Sequence, residues 1–116
     1  MSKTLFILND PPYGTERSFN GLRLAAAMAK GGAKVRVFLL GDAASCANRG
    51  QKVPNGYYNL ERMLGAVIRH GGEVGVCGLC MEARGLTEEM LCDGCARGSL
   101  EQLAEWTTWS DRALVF

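Results

Sequence analysis

Residues 3–40, KTLFILNDPPYGTERSFNGLRLAAAMAKGGAKVRVFLL, decide the fold. The apolar run at residues 3–9 ends in Asp10-Pro11-Pro12-Tyr13-Gly14, where the prolines remove backbone donors and fix φ, so neither strand nor helix continues. Beyond it, Phe19, Leu22, Leu24, Ala25, Ala26, Met28 and Ala29 recur at helical spacing over residues 16–30. Thr15 is the expected N-cap, and Gly31-Gly32 supplies the stop. Residues 34–40 are apolar and β-branched and end at Gly41-Asp42. A helical crossover between two such runs joins parallel strands, and the handedness rule makes the connection right-handed.

The alternation continues outward from this unit. Residues 43–47 are expected to form a short helix and residues 48–58 a polar surface loop. Asn59 opens a second helix with Leu60, Met63, Leu64, Val67 and Ile68 on one face, stopped by Gly71-Gly72. Residues 73–77, EVGVC, read as a third strand running directly into Gly78-Leu79-Cys80. Thr87 can cap a short helix at residues 88–91, and Ser99 caps a helix from Leu100 to about residue 107. Residues 112–116 read as a last strand. The pattern predicts an α/β fold, a mostly parallel sheet with helices on both faces. No repeat or linker divides the chain, so residues 1–116 are expected to be a single domain.

Composition narrows the partners. Thirteen basic and 12 acidic residues leave a net charge of +1, which makes no electrostatic case for nucleic acid or an anionic membrane. No apolar run approaches the ~20 residues of a membrane helix, and the opening apolar run is too short for a signal peptide. The expected location is cytoplasmic.

The outlier is cysteine, with five residues: Cys46, Cys77, Cys80, Cys92 and Cys95. An odd count without an export signal argues against a disulfide scaffold. Four of them form two Cys-x-x-Cys pairs. Cys77 ends the third strand, and in α/β sheets reactive groups gather at the carboxyl ends of strands. Loop N–H groups, a following helical turn and Arg84 are expected to lower its pKa and make it a nucleophile, with Cys80 as a second thiol. The bland alternative is a small buried residue ending a strand. A zinc site formed by Cys77, Cys80, Cys92 and Cys95 also fits the spacing, and Cys77-x-x-Cys80 has the spacing of a dithiol redox pair. Asp10 and Asp42 follow strands and could face the cysteine edge, although such residues are more often turn formers. His70 is read as a helix-end residue, and Trp106 and Trp109 as packing residues. The glycines form no dinucleotide or phosphate-binding fingerprint.

Three blocks carry a resemblance: Gly41-Asp42-Ala43; Gly56-Tyr57-Tyr58-Asn59-Leu60-Glu61-Arg62-Met63-Leu64; and Cys77-Gly78-Leu79-Cys80-Met81-Glu82-Ala83-Arg84-Gly85. With the tail from Gly98 to Phe116 they resemble the DsrE/DsrF-like (YchN-type) sulfur-relay family over nearly the whole chain. The resemblance implies a three-layer α/β/α fold with about five strands, and assembly into homo-oligomers, trimers or hexamers. It also implies a sulfur carrier that holds sulfane sulfur as a persulfide and exchanges it with donor and acceptor proteins, with no resident cofactor. The family's carrier cysteine lies eight residues before the glycine of an Arg-Gly pair, which in this chain selects Cys77 ahead of Gly85. Cys80 and Arg84 belong to the same block. The Cys92/Cys95 pair departs from the family pattern and keeps zinc and internal disulfide chemistry open as alternatives.

Overall fold

The computed structural model describes residues 2–116; Met1, included in the expected domain, lies outside them. Five strands form one sheet: β1 (Lys3–Leu8), β2 (Lys34–Leu39), β3 (Glu73–Cys77), β4 (Cys95–Gly98) and β5 (Arg112–Val115). Their order is β4-β3-β2-β1-β5, and every neighbouring pair is parallel. The helices are α1 (Arg17–Lys30), α2 (Leu60–Arg69), α3 (Gly78–Ala83) and α4 (Leu100–Trp109). Short 3₁₀ turns occupy Gly41–Ala47 and Glu88–Met90. The three-layer α/β/α arrangement expected from the resemblance is present.

Alternation along the strands divides the core in two. Phe6 and Leu8 of β1, Val35, Val37 and Leu39 of β2, and Val74 and Val76 of β3 face the layer built by α1 and α2. That layer contributes Leu22, Ala25 and Ala29 from α1, and Leu60, Leu64 and Val67 from α2. Leu5 and Phe38 point the other way and meet Leu103 and Trp106 of α4, with Ile7, Leu40 and Cys77 packed at the margin. Each fully buried Leu or Phe side chain stabilises by roughly 1.5–3 kcal/mol, so most of the stability resides in the larger α1/α2 face. On the α4 face, the Arg36 guanidinium lies 4.0 Å from the Trp109 ring centroid and 5.2 Å from that of Trp106. Its Nε donates to Glu73 at 2.7 Å.

The caps follow the sequence at two helices and differ at the first. Asn59 accepts from the Arg62 N–H at 3.0 Å and Ser99 from the Gln102 N–H at 3.2 Å. Thr15 does not cap α1: Glu16 holds that position, while the Thr15 hydroxyl donates to Asp10 at 2.7 Å. The same hydroxyl oxygen accepts weakly from the Arg17 N–H, at 3.5 Å. β4 is an addition to the strands expected from the sequence. Among the described residues, no helix is long and apolar enough to cross a membrane.

Candidate functional site

Cys77 is the last residue of β3 and also the N-cap of α3. The chain passes from strand to helix with no intervening loop, and the first orphan N–H groups of α3 need acceptors. The Cys77 sulfur supplies one, accepting from the Cys80 N–H at 3.3 Å. One turn on, the Cys80 sulfur stands 2.7 Å from that of Cys77 and accepts from the Gly41 N–H at 3.1 Å. A disulfide holds its sulfurs about 2.05 Å apart, so the two thiols stand within reach of thiol–disulfide exchange with each other.

A cavity of about 550 Å³ opens at this edge, walled by Phe38, Leu40, Leu79, Leu100, Arg97 and the two thiols. Leu79 and Leu100 are 76% and 73% exposed, so the mouth is apolar. Cys77 is only partly buried. A larger groove of about 620 Å³ runs between α1 and α2, but its lining includes no nucleophile.

The cation at the site is Arg97, which no local pattern in the sequence singles out. Its guanidinium lies over the first turn of α3, 2.7 Å from where a β-carbon on Gly78 would stand, and pairs with Glu82. Arg84, expected beside Cys77, is committed elsewhere. It donates twice to Asp42, at 2.8 and 3.2 Å, and once to the Cys80 carbonyl oxygen at 3.0 Å. It braces α3 against the turn after β2. Asp42 therefore lies at the cysteine edge through Arg84, whereas Asp10 accepts from Thr15 and faces Arg17. His70 is the C-cap of α2.

The expected lowering of the Cys77 pKa is reversed. Burial pushes the thiol above the ordinary value of 9.0, and the neighbouring Cys80 thiol pushes in the same direction. The N–H groups of Cys80 and Leu79 pull the other way without overcoming this. The six-residue α3 offers little dipole, and Arg84 turns its charge to Asp42.

The structure does not gather the four paired cysteines into one ligand set. Along the β3–β4 ladder Cys95 lies beside Val74 and Cys77 beside Gly98. Three residues of strand, about 10 Å, separate the pairs. Cys77 borders the α4 face, while Cys92 and Cys95 belong to the α1/α2 face. Among the described residues, no three His, Cys, Asp or Glu side chains converge as a metal site would require. Cys46 is fully buried, its thiol pushed up to about 12 by that burial.

Strand order, layers and a thiol capping a helix at the carboxyl edge define the class: a small parallel α/β/α domain built around a cysteine turn. The chain belongs to the DsrE/DsrF-like family, whose match spans residues 2–116. Protein YchN of Escherichia coli is 38% identical over 118 residues, covering all of both chains. The crystal structure of that protein superimposes with a TM-score of 0.93 over the full length of both. An uncharacterized protein of Methanopyrus kandleri, MK0008, is 34% identical over 95% of this chain and 90% of its own. MTH1491 of Methanobacterium thermoautotrophicum, a protein of unknown function, shares the fold at 12% identity, with a TM-score of 0.79 and full coverage of both chains.

Proposed function

We propose that this protein works in sulfur relay, carrying sulfane sulfur as a persulfide on Cys77. The observation that carries the reading is the placement of a partly exposed Cys77 sulfur on the wall of an edge cavity, 2.7 Å from a second thiol. The DsrE-like family is linked in general to sulfur relay, which supports the same reading.

In the loading step the Cys77 thiol gives its proton to solvent. The thiolate attacks the outer sulfur of a donor persulfide, the donor S–S bond breaks, and the donor leaves as a thiolate. Arg97 offers a positive charge to the anion on Cys77. In the unloading step an acceptor thiolate attacks the outer sulfur, and Cys77 departs as thiolate. Cys80 provides a second exit: its thiolate attacks the inner sulfur, forms the Cys77–Cys80 disulfide and expels hydrosulfide. The apolar mouth formed by Leu79 and Leu100 fits a protein donor or acceptor, or a second copy of the chain in a trimer or hexamer.

Intact-mass measurement after incubation with a persulfide donor tests the assignment. The unsubstituted chain gains sulfur and Cys77→Ala does not. Loading of Cys77→Ala to the wild-type level would falsify the role of Cys77. Light scattering reads the assembly state, for which a monomer is the contrary result.

A further inference from the structure

The sulfur-relay reading leaves Cys92 and Cys95 unused. Their sulfurs lie 3.4 Å apart, in a segment whose backbone conformation differs from that of the Cys77 turn. Cys92-Asp93-Gly94-Cys95 is a β-turn closed by the Cys95 N–H donating to the Cys92 carbonyl oxygen at 3.1 Å. Gly94 supplies the left-handed residue, with φ at +87°, as a type II turn requires at its third position. The ends of a β-turn lie within about 7 Å, which overlaps the Cα separation of about 4.4–6.8 Å found across disulfides.

Both ends are anchored independently. The Cys92 N–H donates to Ala47 at 2.7 Å, and Arg49 donates to the Leu91 carbonyl oxygen at 2.8 Å. Cys95 is held by the β4–β3 ladder. The anchored turn holds the two sulfurs 3.4 Å apart, within reach of an S–S bond by side-chain rotation. The turn itself is at the surface: Asp93 and Gly94 are exposed and Cys95 is partly exposed, whereas Cys92 is 6% exposed.

We infer that Cys92 and Cys95 form a second dithiol–disulfide couple, oxidised by exchange with a low-molecular-weight disulfide and independent of Cys77. One thiolate of the pair attacks a sulfur of the small disulfide, whose S–S bond breaks to release a thiolate. The second thiol loses its proton and attacks the protein sulfur of the mixed disulfide. The Cys92–Cys95 bond forms as the second small thiolate leaves. The protein loses two hydrogens and two electrons, and the small disulfide becomes two thiols. Cys95 lowers the Cys92 pKa by hydrogen bonding, which favours one thiolate within the pair.

The test uses the full chain carrying Cys77→Ala and Cys80→Ala, treated with a glutathione-type disulfide and then alkylated. The expected product lacks two hydrogens, carries no adduct, and yields a peptide cross-link between residues 92 and 95. Cys46 stays alkylatable only after unfolding. A lasting mixed disulfide on either cysteine, or two free thiols after treatment, overturns the proposal. Adding Cys95→Ser should leave a mixed disulfide on Cys92 that persists at least about tenfold longer than in its parent, because the intramolecular partner is gone. If that variant does not fold, peptide mapping of the otherwise unsubstituted oxidised chain decides the matter through the same 92–95 cross-link. A cross-link joining residues 77 or 80 to residues 92 or 95 also overturns it.

Discussion

The two Cys-x-x-Cys segments lie at opposite ends of the β3–β4 ladder, and Cys77 borders the α4 face while Cys92 and Cys95 pack into the α1/α2 face. Cys77 and Cys80 span a strand-to-helix junction, so the Cys77 sulfur caps the helix and both residues line a cavity wall. Cys92 and Cys95 close a β-turn, so their backbone groups bond to each other and their sulfurs turn into the α1/α2 layer. The spacing is common to both, and the backbone conformation between the cysteines decides which chemistry each pair can reach. A helical turn presents a sulfur to peptide N–H groups and to an incoming reagent. The β-turn leaves its sulfurs packed against the α1/α2 layer, away from the cavity.

The largest effect that would break this contrast is in loading. Cys77→Ala should reduce persulfide loading by at least ~100-fold, while Cys92→Ser with Cys95→Ser leaves it within about twofold. Intact mass distinguishes the two, and equal losses would merge the sites into one.

Backbone strain gives the next test. A side chain at Gly94 meets Ile68 at 2.8 Å and must adopt a φ near +87°. Gly94→Ala should cost about 1–3 kcal/mol in denaturant unfolding, with the alkylation rate of Cys77 unchanged. Gly78→Ala first meets the Arg97 side chain, at 2.7 Å, which can move. It should alter Cys77 alkylation with little effect on stability.

The pH dependence follows from the raised Cys77 pKa. Below that pKa the thiolate fraction grows with pH, so Cys77 alkylation should still be rising steeply past pH 9.0. A plateau below that pH would show that the cap N–H groups overcome burial after all.

The smallest contrast lies between two arginines. Arg97→Gln should slow Cys77 alkylation by about two- to fivefold at neutral pH, because a nearby cation favours the thiolate. Arg84→Gln should leave that rate nearly unchanged. Its ion pair with Asp42 is largely exposed, so the loss in stability should stay below about 1 kcal/mol.

These residues also mark where the sequence is legible. β1, β2 and β3 carry apolar runs bounded by turn residues, and the Asn59 and Ser99 caps are local signals, so all five are visible along the chain. β4 is not. Its four residues, CARG, contain no apolar run, and their strand conformation comes from pairing with β3. Arg97 is hidden for the same reason, since its place over Gly78 exists only once that pairing forms. Nearness in sequence points Arg84 at Cys77, but Asp42, far away along the chain, holds its guanidinium. Thr15 likewise bonds to Asp10, five residues before it, while Glu16 takes the cap position.

Arg36 beside both indole rings has a spectroscopic consequence. The chain's two tryptophans, Trp106 and Trp109, both belong to α4 and both lie within cation–π distance of that guanidinium. Tryptophan emission, excited apart from the three tyrosines, therefore observes one layer of the sandwich, the one bordering the Cys77 cavity. Emission should respond when α4 shifts on its bed of Phe38 and Leu5, and stay dark to events beneath α1 and α2. The molecule thus carries a built-in optical probe with a directional view.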